Sequence, residues 1–168
     1  MSNIIISLIF FGGLFFPSLS SADGFEPATI SITGTLVDGP YCEINDGNTI
    51  EVPFGRVSLG QVESGSARRD IPYDITCEDG DATGYTLTLS ITGNPADFDS
   101  DNATVLSSTH PDLGVKVYAN GAPFRLNNYI NISIDDIPRL EAVLLQRVGS
   151  TLDEGDFSAT ATLRAIYQ

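Results

Sequence analysis

An all-β fold, a single domain built as a sandwich or barrel, is what the sequence predicts. Three observations carry it. Apolar residues recur with a period of two, turn-forming residues punctuate those runs, and the only two cysteines lie 35 positions apart behind an export-type leader. A period of two places one face of each run on a core and the other in water, as in antiparallel sheets.

Taken in order, the first element is an address rather than structure. Ile4 to Phe16 is apolar apart from Ser7, Gly12 and Gly13, and Pro17 and the small-residue stretch Ser18-Leu19-Ser20-Ser21-Ala22 follow. The run is too short to cross a hydrocarbon core ~30 Å thick, which takes ~20 apolar residues. Small residues at Ser20 and Ala22 suit signal peptidase, so residues 1–22 are expected to leave and the mature chain to begin at Asp23. No Lys or Arg precedes the apolar run, which departs from the usual signal pattern.

Next comes Ala28, Ile30, Ile32, Gly34 and Leu36, alternating with Thr29, Ser31, Thr33 and Thr35. On spacing alone this is an ordinary first strand with a bulge at Gly34, where a missing side chain permits close backbone approach. Further alternating runs are Tyr85 to Ile91, Val115 to Tyr118, Asn128 to Ile134 and Phe157 to Tyr167. Asp38-Gly39-Pro40, Asp46-Gly47-Asn48, Asp79-Gly80, Gly93-Asn94-Pro95, Asn120-Gly121 and Gly149-Ser150 separate the runs as turns. Only Ile137 to Leu145 has room for a helical turn, with Pro138 near its start. An exported chain meets an oxidising compartment, so Cys42 and Cys77 are expected to pair. The bridge stabilises by roughly 3–4 kcal/mol on the chain-entropy model; two free buried thiols are the alternative.

Composition removes several function classes. Asp and Glu number 22 against 8 Lys and Arg, a formal net charge of -14. Nucleic-acid binding needs clustered cations, so no nucleic-acid partner is expected, and an anionic membrane surface is equally disfavoured. With one His, no Trp, and neither GxSxG nor HExxH, no catalytic residue, cofactor or enzymatic activity is expected. Asp97-Phe98-Asp99-Ser100-Asp101 has the D-x-D-x-D spacing of a calcium loop. Asn102 and Ser108, however, stand where the tight-turn Gly and bidentate Glu belong, so no metal site is expected. His110 lies in a Ser-Thr-His-Pro turn, Arg68-Arg69-Asp70 is too short for a binding patch, and the sequons at Asn102 and Asn131 read as chance.

The remaining motifs resemble one family. Gly34-Thr-Leu-Val-Asp-Gly-Pro-Tyr-Cys42-Glu-Ile44 looks like the opening of chaperone–usher pilus subunits. Tyr73 to Cys77, and Leu113 to Tyr118 followed by Asn120-Gly-Ala-Pro123, resemble that family too. Most specific is the C-terminal stretch, where Gly155 is fourteenth from the end and Tyr167 penultimate. Asn45 to Gly55 looks closest to minor or tip-adaptor subunits of P-type fimbriae.

The resemblance implies an immunoglobulin-like β-sandwich lacking its final strand, completed by donor-strand exchange. It implies a periplasmic pilus chaperone, an outer-membrane usher and neighbouring pilin subunits as partners, and a final location in a fimbrium on the bacterial cell surface. Residues 23–38 would be a donor-strand arm and 39–168 the pilin domain. Ile30, Ile32 and Leu36 would be plugs donated to a neighbour on a donor strand that also includes Ala28, with Gly34 where bulk is excluded. With the family in view, donation displaces the first-strand reading. Gly155, Phe157, Ala159, Ala161, Leu163, Ala165 and Tyr167 would line the receiving groove and be recognised by the chaperone. Tyr167 is equally able to cap the core, and Gly155 to serve a hairpin. The alternative in another class is a self-contained secreted sandwich that binds a host glycan or protein ligand.

Overall fold

The computed structural model describes residues 30–34, 39–78 and 82–168. The chain divides into two units, Met1–Leu36 and Val37–Gln168. Within the first, residues 30–34 carry no regular secondary structure. The leader, Ala28 and Leu36 lie outside the described residues.

Every strand pairing in the second unit is antiparallel. Its strands are β1 (Cys42–Ile44), β2 (Arg68–Ile71), β3 (Ile75–Cys77), β4 (Leu87–Gly93), β5 (Thr104–Leu106), β6 (Leu113–Ala119), β7 (Ala122–Pro123), β8 (Tyr129–Asn131), β9 (Leu140–Gln146) and β10 (Ala161–Tyr167). The larger sheet runs β2-β9-β6-β5, with β7 on β6; the smaller runs β10-β4-β8, and β1 pairs with β3. Between the sheets, Leu87, Leu89 and Ile91 of β4 meet Val105, Val117, Leu140 and Ala165, closed by Phe124 and Leu126. Phe54, Val62, Ala67, Leu113, Ala142, Leu144 and Leu152 form a second cluster, and Ile71 touches both.

Local chemistry explains the connections. Asn120 and Gly121, with φ of 48° and 79°, make the two-residue turn between β6 and β7, where Ala119 faces Ala122. Such a turn wants positive φ at both central residues, which Asn-Gly supplies. Gly114 sits where a Cβ would lie 2.4 Å from Thr104 Cγ2, so β5 can approach β6 only because the side chain is missing.

Two expectations are corrected. Ile137 to Leu145 holds no helical turn; its residues enter β9, which is laddered to β2 on one side and β6 on the other. A central strand buried on both faces is apolar without strict alternation, which is why its pattern suggested a helix. The helix is instead α1 (Leu59–Glu63), started by a capping box: Gln61 N–H donates to Ser58 Oγ at 3.3 Å, and Ser58 N–H to Gln61 Oε1 at 3.0 Å. The run expected from Phe157 to Tyr167 is a strand only from Ala161.

Candidate functional site

Begin with the backbone of β10. Its register to β4 pairs Ala161 with Gly93 and Tyr167 with Leu87. Beyond the ladder, Gln168 and Thr86 exchange both hydrogen bonds, at 2.9 and 2.8 Å. In an antiparallel pair such doubly bonded positions recur every second residue. Thr162, Arg164 and Ile166 therefore direct their N–H and C=O groups at β4. Ala161, Leu163, Ala165 and Tyr167 direct theirs the other way, where among the described residues no strand pairs with them. β1 runs alongside, with Cα atoms within 8 Å of β10 but no ladder between them.

The same odd-numbered residues carry the interior-facing side chains. Ala165 is buried in the main core, and Ala159, Leu163 and Tyr167 pack half-buried against it. Phe157 packs on the second cluster, its ring edge-on to Phe54 at 5.9 Å. Ala161 is exposed, and its Cβ lies beside Gly93, where an added Cβ would also meet Val105. The C-terminal strand thus combines a free hydrogen-bonding edge with an apolar row that its own domain covers only in part.

Gly155 begins the approach to β10, and His110 lies over it, 3.5 Å from where a Cβ would project. A Ser/Thr loop ties this approach down. Ser108 N–H donates to Ser158 O at 2.8 Å and Thr109 Oγ1 to Asp156 O at 3.0 Å, while the Ser108 and Ser158 hydroxyls are 2.6 Å apart. With its proton on Asp156 O, the Thr109 hydroxyl accepts from His110 Nδ1 at 2.9 Å. Sequence reasoning missed this anchor, because short Ser/Thr runs carry no signal of a specific partner 47 to 50 residues away.

On the other flank, Cys42 and Cys77 are joined across β1 and β3 as a disulfide, facing each other in register. Cys42 and Ile44 pack against the main core with Tyr167 and Leu163. In the arm, Ile30 is 82% and Ile32 91% exposed. An added Cβ at Gly34 would meet nothing within 4 Å.

The acidic stretch from Asp97 is matched by cations of the chain itself. Lys116 Nζ donates to Asp99 at 2.9 Å and also to Asp101, while Arg147 bridges Asp97 and Asp112 at 2.7 and 2.6 Å.

Residues 30–168 match the family described as Fimbrial protein. The chain belongs to this family. The fimbrial-like protein YfcQ of Escherichia coli K12 is 34% identical over 146 residues, covering 83% of this chain and 86% of that protein. Among solved structures, the P pilus rod subunit PapA superposes with a TM-score of 0.60 at 21% identity, covering 76% of this fimbrial chain and 99% of PapA. The P pilus adaptor subunit PapF gives 0.56 at 23% identity, covering 78% and 98%. These structural likenesses establish the pilin sandwich as the fold, and the family assignment agrees with the resemblance carried by Gly34–Ile44 and Gly155–Gln168. Fimbrial proteins are structural subunits, not enzymes.

Proposed function

We propose that this fimbrial protein polymerises by donating residues 23–38 to one neighbour and accepting a neighbour's strand along β10, in a minor or tip-adaptor position. The observation that supports this reading best is the free edge of β10. An incoming strand would satisfy the N–H and C=O groups of Ala161, Leu163, Ala165 and Tyr167 and lay alternate side chains on the apolar row beneath them. The arm offers the complementary pattern: each buried aliphatic plug contributes about 1.5–3 kcal/mol before ordering costs. An edge this apolar invites aggregation when bare, which is the physical need a periplasmic chaperone would meet before the outer-membrane usher admits the next subunit. Export through the periplasm to a surface fimbrium follows from the same reading. The adaptor position rests on Asn45–Gly55.

The test is thermal unfolding of two exported variants lacking residues 23–38. One ends at Gln168; the other carries a short linker and the sequence 28–37 after it. The first is expected to aggregate or melt early, the second to be a monomer melting tens of degrees higher. If both melt alike as stable monomers, the sandwich is already complete and the polymer reading falls. Exposed Tyr41, Tyr85 and Tyr129 would then be the first places to look for a ligand.

A further inference from the structure

The charges flanking β10 bear on which strand it accepts. Asp153, Glu154 and Asp156 stand just before the apolar row that starts at Phe157, all exposed. Among the described residues no Lys or Arg is ion-paired with any of them; the salt bridges involve Asp70, Asp97, Asp99, Asp101, Asp112 and Glu141 instead. His110 is the neighbouring ring, lying over Gly155 with Nδ1 engaged by Thr109.

The arm carries acids at both of its ends: Asp23 and Glu26 before Ala28, and Asp38 after Leu36. Its plugs at positions 28 to 36 match the period of the row from Phe157 to Tyr167. Laid parallel to β10, with Ala28 beside Phe157, the arm brings Glu26 to Gly155. Laid antiparallel, with Leu36 beside Phe157, it brings Asp38 there. Either direction sets a carboxylate against the Asp153–Asp156 cluster. The only cation on β10, Arg164, offers no compensation, because its side chain is on the row opposite to the plugs. The arm's residues on that row are Thr29, Ser31, Thr33 and Thr35. The net charge of the two molecules, -14 on each full chain with these acids included, opposes their encounter as well.

We propose that the β10 edge selects against this chain's own arm and takes the arm of a different subunit, one with neutral or basic residues on either side of its plugs. This rests on the strand-acceptance reading above and names the occupant. The plugs would bury equally in both arms, and the discrimination lies in the charge repulsion at the start of the edge, which slows encounter and which salt screens.

The experiment uses the exported mature chain as its chaperone complex and two synthetic peptides. One has the sequence of residues 23–38; the other carries Asp23→Asn, Glu26→Gln and Asp38→Asn. Capture is followed by native mass spectrometry at about 20 mM and about 300 mM NaCl. The neutral peptide is expected to be captured about tenfold faster at low salt, with the gap closing at high salt. An Asp153→Asn, Glu154→Gln, Asp156→Asn chain is expected to narrow the gap at low salt. Equal rates for both peptides at both salt concentrations overturn the charge selection and leave strand acceptance standing. No capture of either peptide overturns both.

Discussion

At the residue scale the most demanding contact is the one between Lys116 and Asp99, whose side chains are only 11% and 4% exposed. Burial alone would push the Asp99 carboxyl up. Hydrogen bonds from the Thr104 hydroxyl, Lys116 and the amides of Ala103 and Asp101 outweigh it and hold the group below the usual carboxylate range. Burial likewise works against the Lys116 ammonium, and its bonds to Asp101 and Asp99 more than restore it, raising it above its ordinary value. The two groups lose their contribution at opposite ends of the pH scale. The stability that depressed Asp99 supplies is present above the ordinary carboxylate pKa of ~3.9 and is lost as pH falls through the lower folded value. What Lys116 supplies is present below ~10.4 and fades as pH rises through the higher folded value. Lys116→Met should cost about 2–4 kcal/mol, since it strands a buried carboxylate. Its denaturation midpoint should recover relative to the parent chain as acid protonates Asp99; a penalty unchanged between neutral and strongly acidic pH would refute the assignment. Tyr73 adds an alkaline limit of its own. Burial pushes its phenol up to about 12, so unfolded chains ionise first and stability should fall between ~10 and that value. Its hydroxyl donates to Pro138 O, which ties the entry of β3 to the entry of β9.

At the element scale, the disulfide decides the fate of β1. That strand has only three residues and one ladder partner, β3, too little to persist alone. Cys42→Ala with Cys77→Ala should therefore cost roughly 2–5 kcal/mol and raise hydrogen exchange at Cys42–Ile44 and Ile75–Cys77 before the rest of the sandwich responds. If exchange rises uniformly, β1 is held by the core and not by the bridge. These elements also show what a sequence can reveal. β4, β6 and β10 were legible because their residue chemistry alternates, as in Thr86-Leu87-Thr88-Leu89-Ser90-Ile91; in β4 Thr88 and Ser90 are buried too, but their hydroxyls keep the period of two visible. β9 was not, because its partners on both edges bury Val143 as well as Ala142 and Leu144, erasing the period. α1 was missed because Leu59–Glu63 is a single turn whose only signature is Ser58 followed by Gln61. The β10 start was read too early, since Phe157 and Ala159 keep the inward alternation while the carbonyls of their neighbours Asp156 and Ser158 are held by Thr109 and Ser108 rather than by β4.

For the whole molecule, the apolar row of the site was legible and its surroundings were not. Phe157, Ala159, Leu163, Ala165 and Tyr167 could be read from their spacing, but Ala161 is exposed, opposite Gly93, because the facing strand has no side chain there to cover it. That β1 lies along the same edge, and that Asp153, Glu154 and Asp156 crowd its beginning, depends on long-range packing that no local pattern encodes. One covalent link takes on another meaning at this scale. In a fibre joined through the proposed arm, tension would enter each subunit at residue 39 and meet Cys42 almost at once. The bridge to Cys77 passes that load straight to β3, so β1 cannot be peeled away from the arm side. The pull then arrives along β10, perpendicular to the hydrogen bonds that join its seven laddered residue pairs with β4. There the hydrogen bonds are sheared together instead of unzipped one at a time.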